Sequence, residues 1–216
     1  LVADPQQSSV VYAGTQDGVF KSVDGATSWT AASFGLTTRE VRSLAIAPGP
    51  ESTVLAGTWG GGVFRSTDGG NTWNAVNPGL DGPYVYTVTA EPAVGGAFYA
   101  GTYYYGVFKY EDEVGSWRAA TDGLSTHGVT ALALAPASTR TLYVGSDGGQ
   151  VYRSADAGLT WARVSLPLGR MVGAVVTDPS DADKVLVGTL GSGIFRSTDG
   201  GANWVHVTGW PSPVNV

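Results

Sequence analysis

Five aspartates recur at near-constant spacing and are the first candidates for chemistry in this chain. They are Asp24, Asp68, Asp112, Asp156 and Asp199, which lie 44, 44, 44 and 43 residues apart. Carboxylates in register could bind calcium or act as the acid and base of a hydrolase. The neighbouring Ser, Thr and Gly residues favour another role, because Asp in such a segment accepts hydrogen bonds from backbone N–H groups two residues on. We therefore interpret all five as turn residues.

A tryptophan follows each aspartate by five residues and closes the same short segment. These box segments are residues 22–29, 66–73, 110–117, 154–161 and 197–204, and they end at Trp29, Trp73, Trp117, Trp161 and Trp204. Each indole is expected to bury about 150–250 Å² between neighbouring sheets. The Lys or Arg before each box also recurs, so we expect these cations to cover a ring or pair with a neighbouring carboxylate. The chain therefore contains five copies of one unit.

The box segments resemble the Asp-box, or BNR repeat, whose pattern is Ser-x-Asp-x-Gly-x-Thr-Trp. The first and fifth copies depart at Ala26 and Asn203, and the third is degenerate, with Tyr110 for Ser and Val114 for Gly. Families with this repeat include sialidases, xyloglucanases, sortilin-type receptors and a photosystem II assembly factor. The resemblance implies a β-propeller with the box between the third and fourth strands of each blade. It also favours an extracellular or periplasmic protein.

The residues around each box predict four short strands. In the second repeat these are Val41-Arg-Ser-Leu-Ala-Ile-Ala-Pro48, Val54-Leu-Ala-Gly-Thr58, Gly62-Val-Phe-Arg-Ser66 and Trp73-Asn-Ala-Val76. Turn signals recur every 8 to 12 residues and no segment has helical periodicity, which indicates an all-β radial array. The prediction is an all-β, five-bladed β-propeller with four antiparallel strands per blade.

The two ends of the chain predict how the ring closes. Residues 214–216 followed by residues 1–5 read Val-Asn-Val-Leu-Val-Ala-Asp-Pro, which aligns without a gap to the inner strand at 41–48. We therefore expect N- and C-terminal residues to share one inner strand. The chain has no signal peptide and does not begin with Met, so we expect that processing, tag removal or engineering has trimmed it.

Composition favours one globular domain over residues 1–216. The chain is 43% hydrophobic and 11% aromatic, enough for a sizeable core. Its net charge of −6 disfavours nucleic acid and anionic membranes as partners, and no apolar run is long enough to span a bilayer. It has no Cys, which excludes disulfides and Cys-ligated zinc, and only two His, so we expect no metal and no cofactor. We also expect a monomer.

Candidate binding residues lie in two sets of loops that should share one face, around a central channel. The loop after the second strand and the segment before the first strand are where the copies diverge. There they carry aromatic and charged residues: Arg39, Arg42, Trp59, Tyr84, Tyr86, Tyr103, Tyr105, His127, Asp147 and Arg170. Flat rings stack on sugar faces and charged groups orient hydroxyls or carboxylates, so these residues predict a non-catalytic site for a glycan or small polar ligand.

Three other interpretations remain open at this stage. The loop tips could have drifted without selection, with Tyr103, Tyr104 and Tyr105 packing on each other. The chain could be an engineered or excised repeat propeller without a natural ligand, or a scaffold that binds a protein partner. It could also be a glycoside hydrolase, for which Asp17 and Asp147 are the best available pair of acids, although neither lies in a recognisable acid/base motif. Sialidase activity is disfavoured because the chain lacks the Arg-Ile-Pro motif of that family.

Overall fold

The computed structural model describes residues 1–47, 53–92, 96–138, 140–164 and 170–208, and all of its regular elements there are β-strands. In chain order the strands are β1 Val2–Ala3, β2 Val11–Thr15, β3 Gly18–Ser22, β4 Thr30–Ala31, β5 Val41–Ala47, β6 Thr53–Thr58, β7 Gly62–Ser66, β8 Asn74–Ala75, β9 Val85–Ala90, β10 Phe98–Thr102, β11 Val107–Glu111, β12 Ser116–Ala119, β13 Val129–Leu134, β14 Leu142–Ser146, β15 Val151–Ser154, β16 Ala162–Val164, β17 Val172–Thr177, β18 Val185–Thr189, β19 Gly193–Ser197 and β20 Val205–His206. Four consecutive strands form each of five antiparallel sheets, which are numbered 1 to 5 in chain order. The predicted five-bladed, all-β propeller with four strands per blade is confirmed.

Only part of the predicted ring closure falls on described residues. At the start of the chain, β1 pairs with β2 through Val2 opposite Tyr12 and Ala3 opposite Val11. Residues 214–216, which should complete the same strand, lie outside the described residues. The shared inner strand therefore stays a prediction.

The residues fall into two compact units. The first contains residues 1–100 and 108–118, and the second contains residues 101–107 and 119–216. In the first unit, apolar residues of sheet 1 pack on sheet 2, and those of sheet 2 pack on sheet 3. In the second unit, sheets 4 and 5 share a core that includes Tyr143, Val172 and Val187. The middle strands supply most of this core, and β10 and β14 are buried at every position. The single domain over 1–216 stays a prediction.

A contact that we call the tryptophan clamp joins successive sheets within each unit. The indole N–H of Trp73 donates to the carbonyl of Ala32 at 2.8 Å, and its backbone N–H donates to Phe34. Trp117 and Trp161 repeat both bonds one and two repeats later, with indole distances of 2.5 and 2.8 Å. These three rings are at most 5% exposed. Each one therefore fastens its own sheet to the loop that leaves the preceding sheet.

A glycine in that loop makes the clamp sterically possible. A Cβ atom on Gly35 would lie 2.2 Å from the carbonyl oxygen of Trp73, and Gly79 and Gly123 have the same relation to Trp117 and Trp161. All three glycines also have positive φ. The Gly-Leu pairs at 35–36, 79–80 and 123–124 carry this signal in the sequence, at the same 44-residue period as the boxes.

The first and last tryptophans differ from these three. Trp29 is 37% exposed, so the expectation that its ring is buried is wrong. Trp204 packs against the core of sheets 4 and 5, and its buried indole N–H has no partner among the described residues.

The box aspartates accept hydrogen bonds that form the turn, but their backbone donors lie farther along the chain than expected. Asp68 accepts the backbone N–H of Thr72, four residues on, at 2.9 Å, and the Thr72 hydroxyl at 2.6 Å. The Ser66 hydroxyl donates to Asp68 and accepts the backbone N–H of Gly70. Asp24, Asp156 and Asp199 make equivalent bonds, with the Asn203 amide replacing the hydroxyl in the last box. The two-residue reach predicted for an isolated Asx turn is wrong because two consecutive left-handed residues widen the loop.

These bonds favour the ionised aspartate. Donation from the hydroxyl and backbone of Thr72 lowers the pKa of Asp68 to about 2, and Ser28 and Thr160 do the same for Asp24 and Asp156. A lowered pKa in the folded state stabilises the fold above the unfolded value near 3.8. This contribution is therefore complete at neutral pH and is lost as the pH falls from about 4 towards 2.

The third box departs from the other four. Asp112 does not accept the turn bonds but forms an ion pair with Arg65 of the preceding sheet. The N–H groups of Val114 and Gly115 instead donate to the carbonyl of Glu111. The interpretation of Asp112 as a turn acceptor is wrong, because without Ser at position 110 and Gly at 114 the segment closes as a tighter backbone turn.

The cations before the boxes make both kinds of contact that the sequence predicts, namely with an aromatic ring and with a neighbouring carboxylate. Lys21 and Lys109 lie 5.5 and 5.7 Å from the ring centres of Tyr12 and Tyr99. Arg65 covers Phe98 in addition to its ion pair, and Arg153 pairs with Asp183 at 3.0 Å. These recurring cations therefore join neighbouring strands and sheets.

We expect Trp73→Ala and Trp117→Ala each to lower the free energy of unfolding by about 3–5 kcal/mol, the usual loss for a buried large aromatic. The degenerate sequence of the third box by itself favours a smaller loss of unfolding free energy for Trp117→Ala. However, the Trp117 ring is 3% exposed and makes the same hydrogen bond as that of Trp73. Urea denaturation measures both values. Trp29→Ala is the control and should cost clearly less, and equal losses at all three positions would contradict the clamp.

The first box allows a test of backbone strain within one turn. Ala26 and Ala157 adopt φ of 70° and 61°, in the left-handed region that favours glycine. Ala26→Gly should therefore stabilise the protein by about 0.5–1 kcal/mol, and Ala157→Gly should act in the same direction. The matched change is Gly25→Ala, also at φ 70° with open space around the new Cβ, and it should destabilise. Thermal melting of the three variants decides this, and a melting temperature lowered by Ala26→Gly would contradict it.

Candidate functional site

Backbone hydrogen bonds join the two sets of loops that carry the candidate residues. The N–H of Trp59, which follows β6, donates to the carbonyl of Glu40, which precedes β5, at 2.9 Å. Asp147 and Leu190 make the same bond to Gly128 and Met171. Within a sheet, the loop after the second strand therefore lies against the segment that enters the first strand.

The loop that carries Trp59 is held from two sides. Besides the bond to Glu40, the N–H groups of Gly60 and Gly62 both donate to the carbonyl of Pro83, at 3.0 and 2.9 Å. Trp59 also forms an isolated antiparallel bridge with Tyr84. Since both sheets fix its backbone, the indole is positioned before any ligand arrives, which reduces the entropy lost on binding.

Three aromatic rings and one guanidinium group meet at this loop, and we call them the Trp59 cluster. The ring centres of Tyr84 and Tyr86 lie 4.8 and 5.1 Å from that of Trp59, at interplanar angles of 53° and 61°. The Arg42 guanidinium lies 5.1 Å from the Trp59 ring centre. Tyr84 is 36% exposed, Arg42 is exposed, and Trp59 and Tyr86 are half-buried. The structure thus brings together four of the ten predicted residues.

A β-bulge aims Arg42 at Trp59. Val41 is paired with Thr58 and Ser43 with Gly57, so Arg42 is the extra residue between two consecutive pairs. A bulge of this kind re-aims one side chain at the end of a strand. Arg42 also forms an ion pair with Glu40, two residues earlier. Sequence reasoning did not identify this pair, although the Glu-Val-Arg spacing is visible in the chain.

The ion pair defines the electrostatics of the cluster. Because Glu40 compensates the charge of Arg42, the cluster presents hydrogen-bond donors and ring faces with little net charge. Arg39 is not part of the cluster: its guanidinium reaches the backbone carbonyl of Asp17 at 3.4 Å. Such a surface can stack on the apolar face of a sugar ring and donate hydrogen bonds to its hydroxyls.

A second aromatic group lies in the loop between β10 and β11. Tyr103 packs edge-on against Tyr104 at 4.4 Å between ring centres, and Tyr104 packs against Tyr105 at 6.4 Å. Tyr104 and Tyr105 are about half exposed. These rings contact each other in the way that the interpretation of unselected loop tips expects.

The remaining predicted residues are exposed and separate from one another. His127, Asp147 and Arg170 precede β13, follow β14 and precede β17, respectively. The Asp147 carboxylate accepts the N–H of the adjacent Gly148 at 2.8 Å, which caps its own turn. In the parts of the chain that the structure describes, no hydrogen bond or ion pair links these three side chains. Each of these three side chains therefore offers one isolated polar group, and together they do not form a site.

Two glutamates of the first unit already have partners among the described residues. Glu40 is committed to Arg42, and Glu91 accepts the Tyr99 hydroxyl and the backbone N–H of Ala97. Among the described residues, every carboxyl group with a clearly altered pKa has it lowered, chiefly by hydrogen-bond donors in its own turn. A glycosidase needs one carboxyl whose pKa is raised, so that it stays protonated at working pH.

A cavity of about 480 Å³ lies at the opposite end of the strands, between the fourth and fifth boxes. Its lining includes Arg153, Asp156, Trp161 and Asp199. Both carboxylates there are the acceptors of their own box turns. This cavity therefore offers structural groups and no unused acid.

Solved structures that are similar to this chain include two GH74 enzymes and an extracellular domain. The GH74 enzyme of Niastella koreensis has a TM-score of 0.76 at 22% identity, and the match covers 94% of this chain and 37% of the enzyme. The GH74 xyloglucanase from Xanthomonas campestris has a TM-score of 0.69 at 20% identity, covering 93% and 36%. The extracellular domain of the one-component system BT4673 from B. thetaiotaomicron has a TM-score of 0.74 at 15% identity, covering 100% and 28%.

These matches show the β-propeller fold. The chain spans roughly a third of the length of these structures. No protein-family model and no curated protein matches the chain. In the described residues no group of acidic or histidine side chains could hold a metal ion, and none of them forms a helix that could cross a membrane.

Proposed function

We propose that this chain is an Asp-box propeller module that binds a glycan or another small polar ligand without catalysis, through the Trp59 cluster. The observation that carries the proposal is the position of Trp59, whose backbone is bonded to two sheets and whose ring contacts Arg42, Tyr84 and Tyr86. Aromatic groups exposed on one patch favour aggregation unless a ligand or partner covers them. In four boxes the Ser hydroxyl donates to the Asp and accepts a backbone N–H from the residue four positions on, which supports the assignment to the Asp-box group.

The compensated charge of Arg42 favours ligands with many hydroxyls over strongly charged ones. The net charge of −6 acts in the same direction, because a negative protein attracts anions poorly. The extracellular domain among the structural matches supports a location outside the cytoplasm. Tyr103, Tyr105, His127, Asp147 and Arg170 are proposed as separate ligand contacts within the second unit. A protein partner on the loops of the Trp59 cluster is the second candidate.

Trp59→Ala is expected to weaken binding of a soluble glycan by about 5- to 150-fold, which corresponds to about 1–3 kcal/mol for one stacking ring. A panel of soluble oligosaccharides and polysaccharides supplies the probes, and isothermal titration calorimetry measures the affinities. Phe34→Ala is the control, because Phe34 is 78% exposed and lies in the loop after β4, which contributes no residue to the cluster. Unchanged affinity in a folded Trp59→Ala variant would exclude the cluster as the site.

The bound glycan should not be cleaved, because Glu40, the carboxylate beside the Trp59 cluster, is held in an ion pair with Arg42. Incubation of the protein with each bound glycan should release no reducing ends above the level of a no-protein control. If turnover does occur and disappears in Asp147→Asn while binding persists, the chain is a glycoside hydrolase and the non-catalytic proposal is wrong.

A further inference from the structure

Glu40 supports the Trp59 loop through its backbone, and this support does not use its carboxylate. The carbonyl of Glu40 accepts the N–H of Trp59, and the carbonyls of Gly128 and Met171 accept the equivalent bonds in sheets 4 and 5. Glycine has no side chain and the side chain of methionine has no charge. The loop can therefore be held without an acid at this position, and the backbone bond does not explain why residue 40 is a glutamate.

The β-bulge that aims Arg42 does not require an arginine either. Sheets 4 and 5 have the same irregularity in their first strands, with Thr130 and Gly173 as the extra residues. In sheets 3 to 5 the two positions equivalent to Glu40 and Arg42 carry no charge: they are Tyr84 and Tyr86, Gly128 and Thr130, and Met171 and Gly173. The acid and the base thus occur together at the one loop that carries Trp59.

The ion pair between Glu40 and Arg42 serves the cluster more than the fold. A pair of this kind between side chains open to solvent adds little to stability. The Arg42 guanidinium that Glu40 holds also lies 5.1 Å from the Trp59 ring centre, beside the surface on which a ligand would stack. A guanidinium binds carboxylates strongly because its N–H groups point in parallel at the two oxygens. Glu40 therefore occupies the place that the carboxylate of a ligand would take.

This arrangement distinguishes between acidic and uncharged ligands. A carboxylated ligand on Trp59 would have to displace Glu40 from Arg42 and would still face its negative charge, and such repulsion is a common source of specificity. A hydroxyl group meets no such obstacle. Glu40 is paired through Nη2 of Arg42, and a guanidinium has further N–H donors that a hydroxyl oxygen can accept.

We propose that Glu40 determines the specificity of the Trp59 cluster, so that the cluster binds uncharged sugars and excludes sugars that carry a carboxylate, such as uronic acids. The inference rests on the proposed function, because it names the ligand class of the same site. Glu40 acts by occupying Arg42 and not by contacting the sugar. Removal of its charge should therefore turn the cluster into a site for acidic sugars.

Two sugars that differ in one group test the proposal. The probes are methyl glucoside and methyl glucuronide, in which a carboxylate replaces the CH₂OH group, and NMR titration measures their affinities. The wild-type chain should prefer the glucoside. Glu40→Gln keeps a side chain that can hydrogen-bond to Arg42 but loses the charge. It should raise the ratio of glucuronide affinity to glucoside affinity by about 10- to 100-fold, the usual effect of one hydrogen bond between charged groups.

Glu111→Gln is the matched control. Glu111 also lies in an ion pair, with Lys109 and Arg118, and its removal changes the net charge by the same amount, but β11 contributes no residue to the cluster. The affinity ratio of this variant should equal that of the wild type. In the double variant Glu40→Gln, Arg42→Gln the gain should disappear, and thermal melting verifies that each variant folds.

The possible outcomes separate the role of Glu40 from the proposed function. If Glu40 only orients Arg42, Glu40→Gln changes both affinities by the same factor, and an unchanged ratio in the folded variant would overturn the proposal. An equal gain in Glu111→Gln would also overturn it. Neutral glycan binding that Trp59→Ala weakens would still support the proposed function in either case. If Glu40→Gln gains glucuronide binding while the wild type binds no neutral glycan, the exclusion of carboxylates stands and the proposed function is wrong.

Discussion

The indole of the box tryptophan is the contact on which the packing of successive sheets depends. Trp73 reaches back to sheet 1 with two hydrogen bonds, and Gly35 lets the two backbones approach closely. A four-stranded sheet of this size cannot bury both of its faces alone, so it needs its neighbour. The clamp fixes how far apart the sheets lie and which residues meet between them, including the valines of the inner strands.

Much of the architecture could be predicted from the chain because one pattern repeats five times. The box spacing and the short apolar runs predict twenty strands in five sheets, and these are found. The third box could not be predicted in detail. Its Asp112 keeps the spacing of the repeat, but its carboxylate pairs with Arg65 and does not accept hydrogen bonds from its own turn. The exposure of Trp29 was also missed, since a periodic pattern predicts the same environment for the tryptophan of every copy.

The candidate site was only partly accessible to sequence reasoning. Divergence among the copies identified Trp59, Tyr84 and Tyr86, because aromatic residues at loop tips differ visibly from the repeat. The contact between Arg42 and Trp59 depends on a β-bulge, which one sequence does not reveal. In the second unit the sequence predicted a grouping that the structure does not show. The residues concerned lie in loops of the same type, but among the described residues no side-chain contact joins His127, Asp147 and Arg170.

The constant sequence separation between the residues of each clamp also affects how the chain folds. Each clamp joins residues 41 positions apart, and the core of each sheet pair draws on adjacent repeats. Each clamped sheet can therefore pack on its neighbour as soon as the adjacent repeat is available, without distant parts of the chain. Order can spread along the polypeptide from either end or from the middle, and during synthesis the early repeats can become protected from aggregation and proteolysis before the late ones are made.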